Sequence, residues 1–255
     1  YPGPTRILEG ELQLNGINQD NSVITVNSGA TFSGAATINT GSVTNSSTLW
    51  PSNNGAGTMT MAKPLTMNAH SSLKFYSSSV SATNTAAALN LTDNFTVNGA
   101  VSVAIAAAGA TVGHYPLLHW TTAISADTFA NFSLVAMPLR TSGYLSNNVA
   151  NNSIDLVVTN VDEPVSWAAG NGDWDVNGTA NWVDLGSAAT TYQEAGPLGD
   201  AVLFDDTASG ASPITVTLNT SVHPAAVTVN NAAKNYIISG SGGITGGVSV
   251  TKTCA

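Results

Sequence analysis

Charge is what this sequence has least of. Only 8% of its 255 residues are Asp, Glu, Lys or Arg, against about 25% in ordinary soluble domains. Disorder needs low hydrophobicity together with high net charge. Here 43% of residues are hydrophobic, so a folded chain with a neutral, hydroxyl- and amide-rich surface is expected. Cys254 is the only cysteine, which excludes an internal disulfide framework and a cysteine metal cluster. It is expected to be a free thiol without a catalytic role. No apolar run approaches the roughly 18 residues of a membrane-spanning helix, so no membrane insertion of this segment is expected. Helix start signals followed by a 3.6-residue apolar period are also missing.

The charge that is present is one-sided. Fifteen acids face six Lys and Arg, for a formal net charge of −9. This argues against nucleic acid and against anionic membrane surfaces, both of which attract basic patches. Nine of the acids fall between Asp162 and Asp206, and no Lys or Arg occurs from Thr141 to Ala233. Such a stretch attracts a divalent cation more readily than an anion.

In place of helical patterning there is period-2 alternation, rich in β-branched residues. It runs through Val23-Ile24-Thr25-Val26, Phe95-Thr96-Val97, Val101-Ser102-Val103-Ala104-Ile105, Ile154-Asp155-Leu156-Val157-Val158, Ile214-Thr215-Val216-Thr217-Leu218 and Val227-Thr228-Val229. Alternation of this kind marks half-buried strands. A Thr-apolar-Asn motif recurs at Thr25-Val26-Asn27, Thr37-Ile38-Asn39, Thr66-Met67-Asn68, Thr96-Val97-Asn98, Thr217-Leu218-Asn219 and Thr228-Val229-Asn230. The apolar residue closes a strand facing inward and Thr flanks it on the polar face. Asn leaves the strand, because its amide bonds nearby backbone and tolerates left-handed geometry. Repeated strand–Asn–turn units are what a solenoid requires, since each unit buries its face only against the next. The expected fold is therefore all-β: a β-solenoid, specifically a right-handed parallel β-helix, in two consecutive segments. The boundary falls at Asp162-Glu163-Pro164, giving segments 1–163 and 164–255.

The second segment carries the candidate chemistry. Asp173-Trp174-Asp175-Val176-Asn177-Gly178 matches the calcium-loop pattern D-x-[DN]-x-[DN]-G, with Asp184 at loop position twelve. Alternate oxygen side chains converge on a hard cation once glycine permits the turn. Asp173, Asp175, Asn177 and Asp184 are thus candidate calcium ligands, and a polar turn between two core tryptophans is the competing reading. Asp173 and Asp175 share a strand face and are candidate acid–base catalysts for glycan cleavage. Asp205 and Asp206 are adjacent and face opposite ways. Trp167, Trp174 and Trp182 are candidate sugar-stacking residues, the alternative being a cap on the apolar core. His114, His119 and His223 have no metal-ligand spacing, and His119 beside Trp120 reads as local packing.

The run Trp167, Gly172-Asp173-Trp174-Asp175, Thr179-Ala180-Asn181-Trp182 and Gly199-Asp200-Ala201-Val202-Leu203-Phe204-Asp205-Asp206 resembles the unit start of autotransporter-associated β-strand repeat proteins. The continuation through Val216-Thr217-Leu218-Asn219 to Tyr236-Ile237-Ile238-Ser239-Gly240 fits as well, and Ile154-Asp155-Leu156-Val157-Val158 resembles the close of a preceding unit. The resemblance covers about 140–252. It implies a secreted or cell-surface bacterial β-helix within a longer repeat protein, whose repeats would run on where this sequence reaches Thr253-Cys254-Ala255. The expected function is structural or adhesive, with polysaccharide or other surface proteins as partners and no catalytic activity. A carbohydrate-binding or polysaccharide-cleaving module built on the acidic, Trp-rich region is the alternative, and calcium is the only cofactor in view.

Overall fold

A computed structural model describes residues 3–19, 22–52, 57–76, 87–106, 111–162, 164–195 and 198–253. Cys254 and Glu163 lie outside these. The protein is all-β, with 52% strand and 3% helix, and its sheets are mostly parallel. No helix among the described residues is long and apolar enough to cross a membrane. The chain divides into two compact units. One comprises Tyr1–Pro138 and Ser142–Asn160, the other Leu139–Thr141 and Val161–Ala255.

In the first unit successive strands are dealt in turn to three sheets. The first sheet takes Thr5–Ile7, Ile24–Val26, Val43–Asn45, Leu65–Met67 and Phe95–Val97, all parallel. The second takes Gly10–Gln13, Ala30–Gly34, Thr48–Pro51, Ser71–Tyr76, Val101–Ala106 and Phe132–Ala136, again parallel. The third takes Ile17–Asn18, Thr37–Ile38, Met59–Met61, Leu89–Leu91 and Gly113–Trp120 in parallel. Ser153–Val161 then joins that sheet antiparallel to Gly113–Trp120, and Thr141–Asn148 is its edge strand beyond Ser153–Val161. The cycle is broken once, where a single helical turn at Ala126–Phe129, capped by the Ser125 hydroxyl, stands in place of a first-sheet strand.

In-register parallel pairing stacks like residues into columns. Phe32, Leu49, Leu73 and Val103 line up on the second sheet, and Ile38, Met61, Leu91 and Trp120 on the third. All but the last are buried. Burying a Leu- or Ile-sized side chain contributes about 1.5–3 kcal/mol, and each column repeats that gain at every step. The turn at Gly41 is tight. Gly41 has φ +71°, and a Cβ there would collide with the Ser22 carbonyl oxygen, so only glycine fits.

The second unit repeats the pattern more loosely. Val165–Trp167, Val202–Asp205, Ala226–Asn230 and Ser249–Thr253 form one parallel row. Gly172–Asp173, Ile214–Thr217 and Tyr236–Ser239 form another. Isolated parallel bridges also join Gly199 to Pro224 and Val222 to Ile244, and Glu194–Ala195 pairs antiparallel with Leu198–Gly199. Trp182–Val183 and Ala189–Thr190 extend the first row antiparallel.

Candidate functional site

The three clustered tryptophans meet in the core of the second unit. Trp167 lies directly opposite Trp182 across an antiparallel pair, with ring centroids 5.0 Å apart in a T-shape. Trp174 meets Trp182 edge-on at 5.4 Å and Tyr192 at 5.5 Å. Phe204 is within 6.0 Å of all three indoles. Exposure is 0% for Trp167 and 1% for Trp174 and Trp182. Their faces are taken up by one another, each such pair contributing about 0.5–1.5 kcal/mol beyond area burial. The expected sugar-stacking surface is therefore not formed by these residues. Aromatic area is worth more inside a loosely paired unit, whose short strands cannot fill the core alone.

The Asp173–Asp184 segment forms consecutive turns. Asp173 ends a strand opposite Thr217. The Asp175 carboxylate accepts the Thr179 N–H and the Thr179 hydroxyl, both at 2.7 Å. Asn177 takes a left-handed φ of +57° and donates its backbone N–H to the Tyr192 carbonyl at 2.8 Å. Asp184 Oδ1 accepts the Ala188 N–H at 2.8 Å. Asp175 and Asp184 thus each close their own turn and do not converge on a common centre. Among the described residues no group of three or more His, Cys, Asp or Glu side chains is placed to hold a metal ion. Of the four expected calcium ligands, Asp175 and Asp184 are engaged by local donors, and Asn177 is held through its backbone N–H.

Asp173 and Asp175 do border one recess, together with Trp174, Thr217, Asn219 and Thr220. Its volume is about 160 Å³, below the roughly 300 Å³ of the smallest ligand pockets. A glycan-cleaving pair needs two carboxyls facing each other across a sugar ring, whereas the Asp175 carboxylate is engaged by Thr179. Asp205 and Asp206 are likewise committed to turns. Asp205 Oδ1 accepts from Thr207 N at 2.8 Å and from its hydroxyl at 2.5 Å. Asp206 accepts the N–H groups of Ala232, Ala233 and Lys234, which hold its carboxyl below the usual carboxylate range.

Sequence reasoning missed a buried polar chain in the same unit. Arg140 Nη2 lies 2.9 Å from Asp200 Oδ2, with the arginine side chain 10% exposed and the aspartate 0%. The same nitrogen donates to the Thr191 carbonyl at 2.8 Å. Asp200 Oδ2 also accepts the Gln193 N–H at 2.9 Å. Beside it the Tyr192 hydroxyl donates to Glu194 Oε1 at 2.9 Å, and the backbone N–H of His223 donates to the same oxygen at 2.6 Å. Burial, then Glu194, pushes the Tyr192 phenol well above its ordinary range. A signal existed: Arg140 is the last cation before a long stretch without one, so a buried acid beyond it had few other partners. Asp155 in the first unit is buried too, and accepts from Ser153 Oγ at 2.5 Å and Asn148 Nδ2 at 2.7 Å.

On the outer face of the first sheet, Thr25, Thr44, Thr66 and Thr96 stand in register. Two residues further along each strand path come Asn27, Ser46, Asn68 and Asn98. Asn68 Nδ2 donates to Ser46 Oγ at 2.8 Å, and Asn98 Nδ2 donates to Asn68 Oδ1 at 3.0 Å. The third sheet carries a related pair, His119 Nδ1 at 2.9 Å from Asn90 Oδ1, which places His119 in local packing. No family model matches the chain, and neither does any curated protein or solved structure.

Proposed function

We propose that the chain is a right-handed parallel β-helix serving as a structural, adhesive element of a secreted or cell-surface bacterial protein. The observation that carries this reading is the three-sheet cycle of the first unit, whose parallel pairs stack like residues into columns such as Phe32, Leu49, Leu73 and Val103. Parallel connections in one sheet are right-handed in about 98% of cases. Such a scaffold is stabilised by nearest-neighbour stacking and displays long, regular faces. The resemblance of the 140–252 region to autotransporter-associated repeats supports the same reading. So does the engagement of Asp175, Asp184, Asp205 and Asp206 in turns, which leaves them unsuited to acid–base work.

The test is incubation of the full chain with a panel of neutral and acidic polysaccharides, reading new reducing ends and new unsaturated ends. No release above a boiled control is expected. Release that disappears in Asp173→Asn would overturn the structural reading in favour of a polysaccharide-cleaving one.

A further inference from the structure

We infer that the outer face of the first sheet is a binding surface for a neutral, extended polysaccharide lying across the strands. The inference rests on the adhesive reading above and names its ligand class. Two ranks of side chains run up this face: the threonine column through Thr44 and Thr66, and the amide rank through Asn68 and Asn98. Neighbouring strands are about 4.8 Å apart, and the two ranks are about 6.6 Å apart along the strand direction. The first spacing is close to the advance of one hexose ring in an extended β-linked chain, so each successive sugar meets a hydroxyl or amide of the next strand, alternate rings in the same orientation.

The chemistry of the two ranks suits sugar rings. Threonine presents a methyl and a hydroxyl side by side, one for the C–H face of a ring and one for its hydroxyls. At Asn68 the ladder engages one N–H and one site on Oδ1. An amide has two N–H donors and an oxygen with two lone pairs. Among the described residues nothing else engages that amide, which leaves a donor and an acceptor for a vicinal pair of sugar hydroxyls. Both ranks are held before any ligand arrives. β-Branching restricts the threonine rotamers and the ladder fixes the amides, so little side-chain freedom is lost on binding.

Charge decides the class of polysaccharide. None of the side chains in the two ranks from Thr25 to Asn98 is ionisable, and the whole chain is at −9. A polyanion would be repelled at long range and would meet a single cation, Arg6, in register with Thr25 at the end of the threonine column, whereas a neutral chain meets matched dipoles from Thr25 to Asn98. The second sheet's outer face has a hydroxyl column of its own, Thr31, Thr48, Ser72, Ser102 and Ser133, but the rank beside it is Ser33, Trp50, Lys74 and Ala104, with Lys74 over the Trp50 ring at 3.8 Å in place of amides.

The experiment is co-sedimentation of the full chain with microcrystalline cellulose, a neutral β-linked glucan, and retention on an alginate gel as the anionic counterpart. Binding to cellulose and none to alginate is expected. The double variant Thr44→Val/Thr66→Val keeps the shape and removes two hydroxyls; its affinity should fall about tenfold. Thr60→Val, on the outer face of the third sheet, should leave affinity unchanged, and circular dichroism melts confirm that each variant folds. Three results overturn the inference: no sedimentation with cellulose, equal affinity in Thr44→Val/Thr66→Val, or a matching loss in Thr60→Val. Freezing hysteresis that depends on Thr44 and Thr66 without cellulose binding also overturns it, assigning the face to an ice lattice. None of these involves sugar release, so the structural reading stands or falls separately.

Discussion

Asn98 donates a side-chain N–H to Oδ1 of Asn68 at 3.0 Å, across thirty residues of chain, and Asn68 passes its own N–H on to Ser46 at 2.8 Å. Removing the middle member breaks both bonds. Asn68→Ala is expected to destabilise the protein by about 1–2 kcal/mol, from one partly buried and one exposed hydrogen bond at roughly 0.5–1.5 kcal/mol each. Asn68→Asp keeps the acceptor for Asn98 but loses the donor to Ser46, so its loss should be smaller. Thermal unfolding followed by far-ultraviolet circular dichroism orders the three proteins. An Asn68→Ala melt indistinguishable from wild type would show the ladder to be ornamental to stability.

Arg140 and Asp200 form the buried ion pair of the second unit. Breaking such a pair by removing one partner leaves an uncompensated buried charge, at a cost of about 3–5 kcal/mol. Arg140→Ala should lose that much, because Asp200 is 0% exposed and cannot rehydrate without opening the core. Arg140→Met/Asp200→Leu removes both charges and should recover most of the loss. Tryptophan emission, to which Trp167, Trp174 and Trp182 of this unit contribute, follows its unfolding. If the double variant is no more stable than Arg140→Ala, the loss comes from packing and not from charge.

The strands were legible because their local signal is strong. Val101–Ala106 alternates buried and half-buried residues over its whole length, as Val101-Ser102-Val103-Ala104-Ile105 reads. The Thr-apolar-Asn motif marks strand ends at Val26, Ile38, Met67 and Val97, each the last residue of its strand. In the second unit the match is looser, with Leu218 just beyond its strand and Asn230 inside its own. Pairing order was less legible. First-sheet strands begin at residues 5, 24, 43, 65 and 95, so insertions between strands hide any fixed period. The site was least legible. D-x-D-x-N-G records the spacing of oxygens but not the N–H groups of Thr179 and Ala188 that claim two of them. The Arg140–Asp200 pair spans sixty residues, beyond any local pattern.

Alkaline stability follows from two phenols. Burial, helped by Asp205 and Asp206, pushes Tyr236 up to about 12, and Tyr192 is raised further. In the unfolded chain both titrate near 10. A raised folded value means that the neutral form is favoured by folding. The stabilisation is therefore complete below pH 10; the Tyr236 share is lost as pH rises from 10 through 12, and the Tyr192 share over a range that extends higher. Denaturation midpoints should fall with a shallower slope above pH 10 in Tyr192→Phe/Tyr236→Phe than in wild type, even though the variant starts lower for want of the hydrogen bonds to Glu194 and the Asp205 carbonyl. Parallel slopes would mean that other groups carry the alkaline transition.

Asp175 offers the sharpest choice between a turn and a metal loop. Its carboxylate holds Thr179 through two bonds of 2.7 Å, the geometry by which an aspartate closes a turn on its own backbone. Asp175→Ala should cost about 1–2 kcal/mol from these bonds. Thr179→Ala removes only the hydroxyl contact and should cost less, and the two losses should be non-additive because they share an interaction. None of this depends on a cation. A loop that bound calcium to the native state alone would gain about 2.7 kcal/mol at a hundredfold excess over Kd, and EDTA would then reproduce the Asp175→Ala loss in the wild type. The turn geometry instead requires wild-type melts in EDTA and in millimolar calcium to superimpose, with the Asp175→Ala deficit the same in both. A calcium-dependent rise in the wild-type midpoint that vanishes in Asp175→Ala would reinstate the cation, with Asp173 and the oxygens of the neighbouring recess as its remaining ligands.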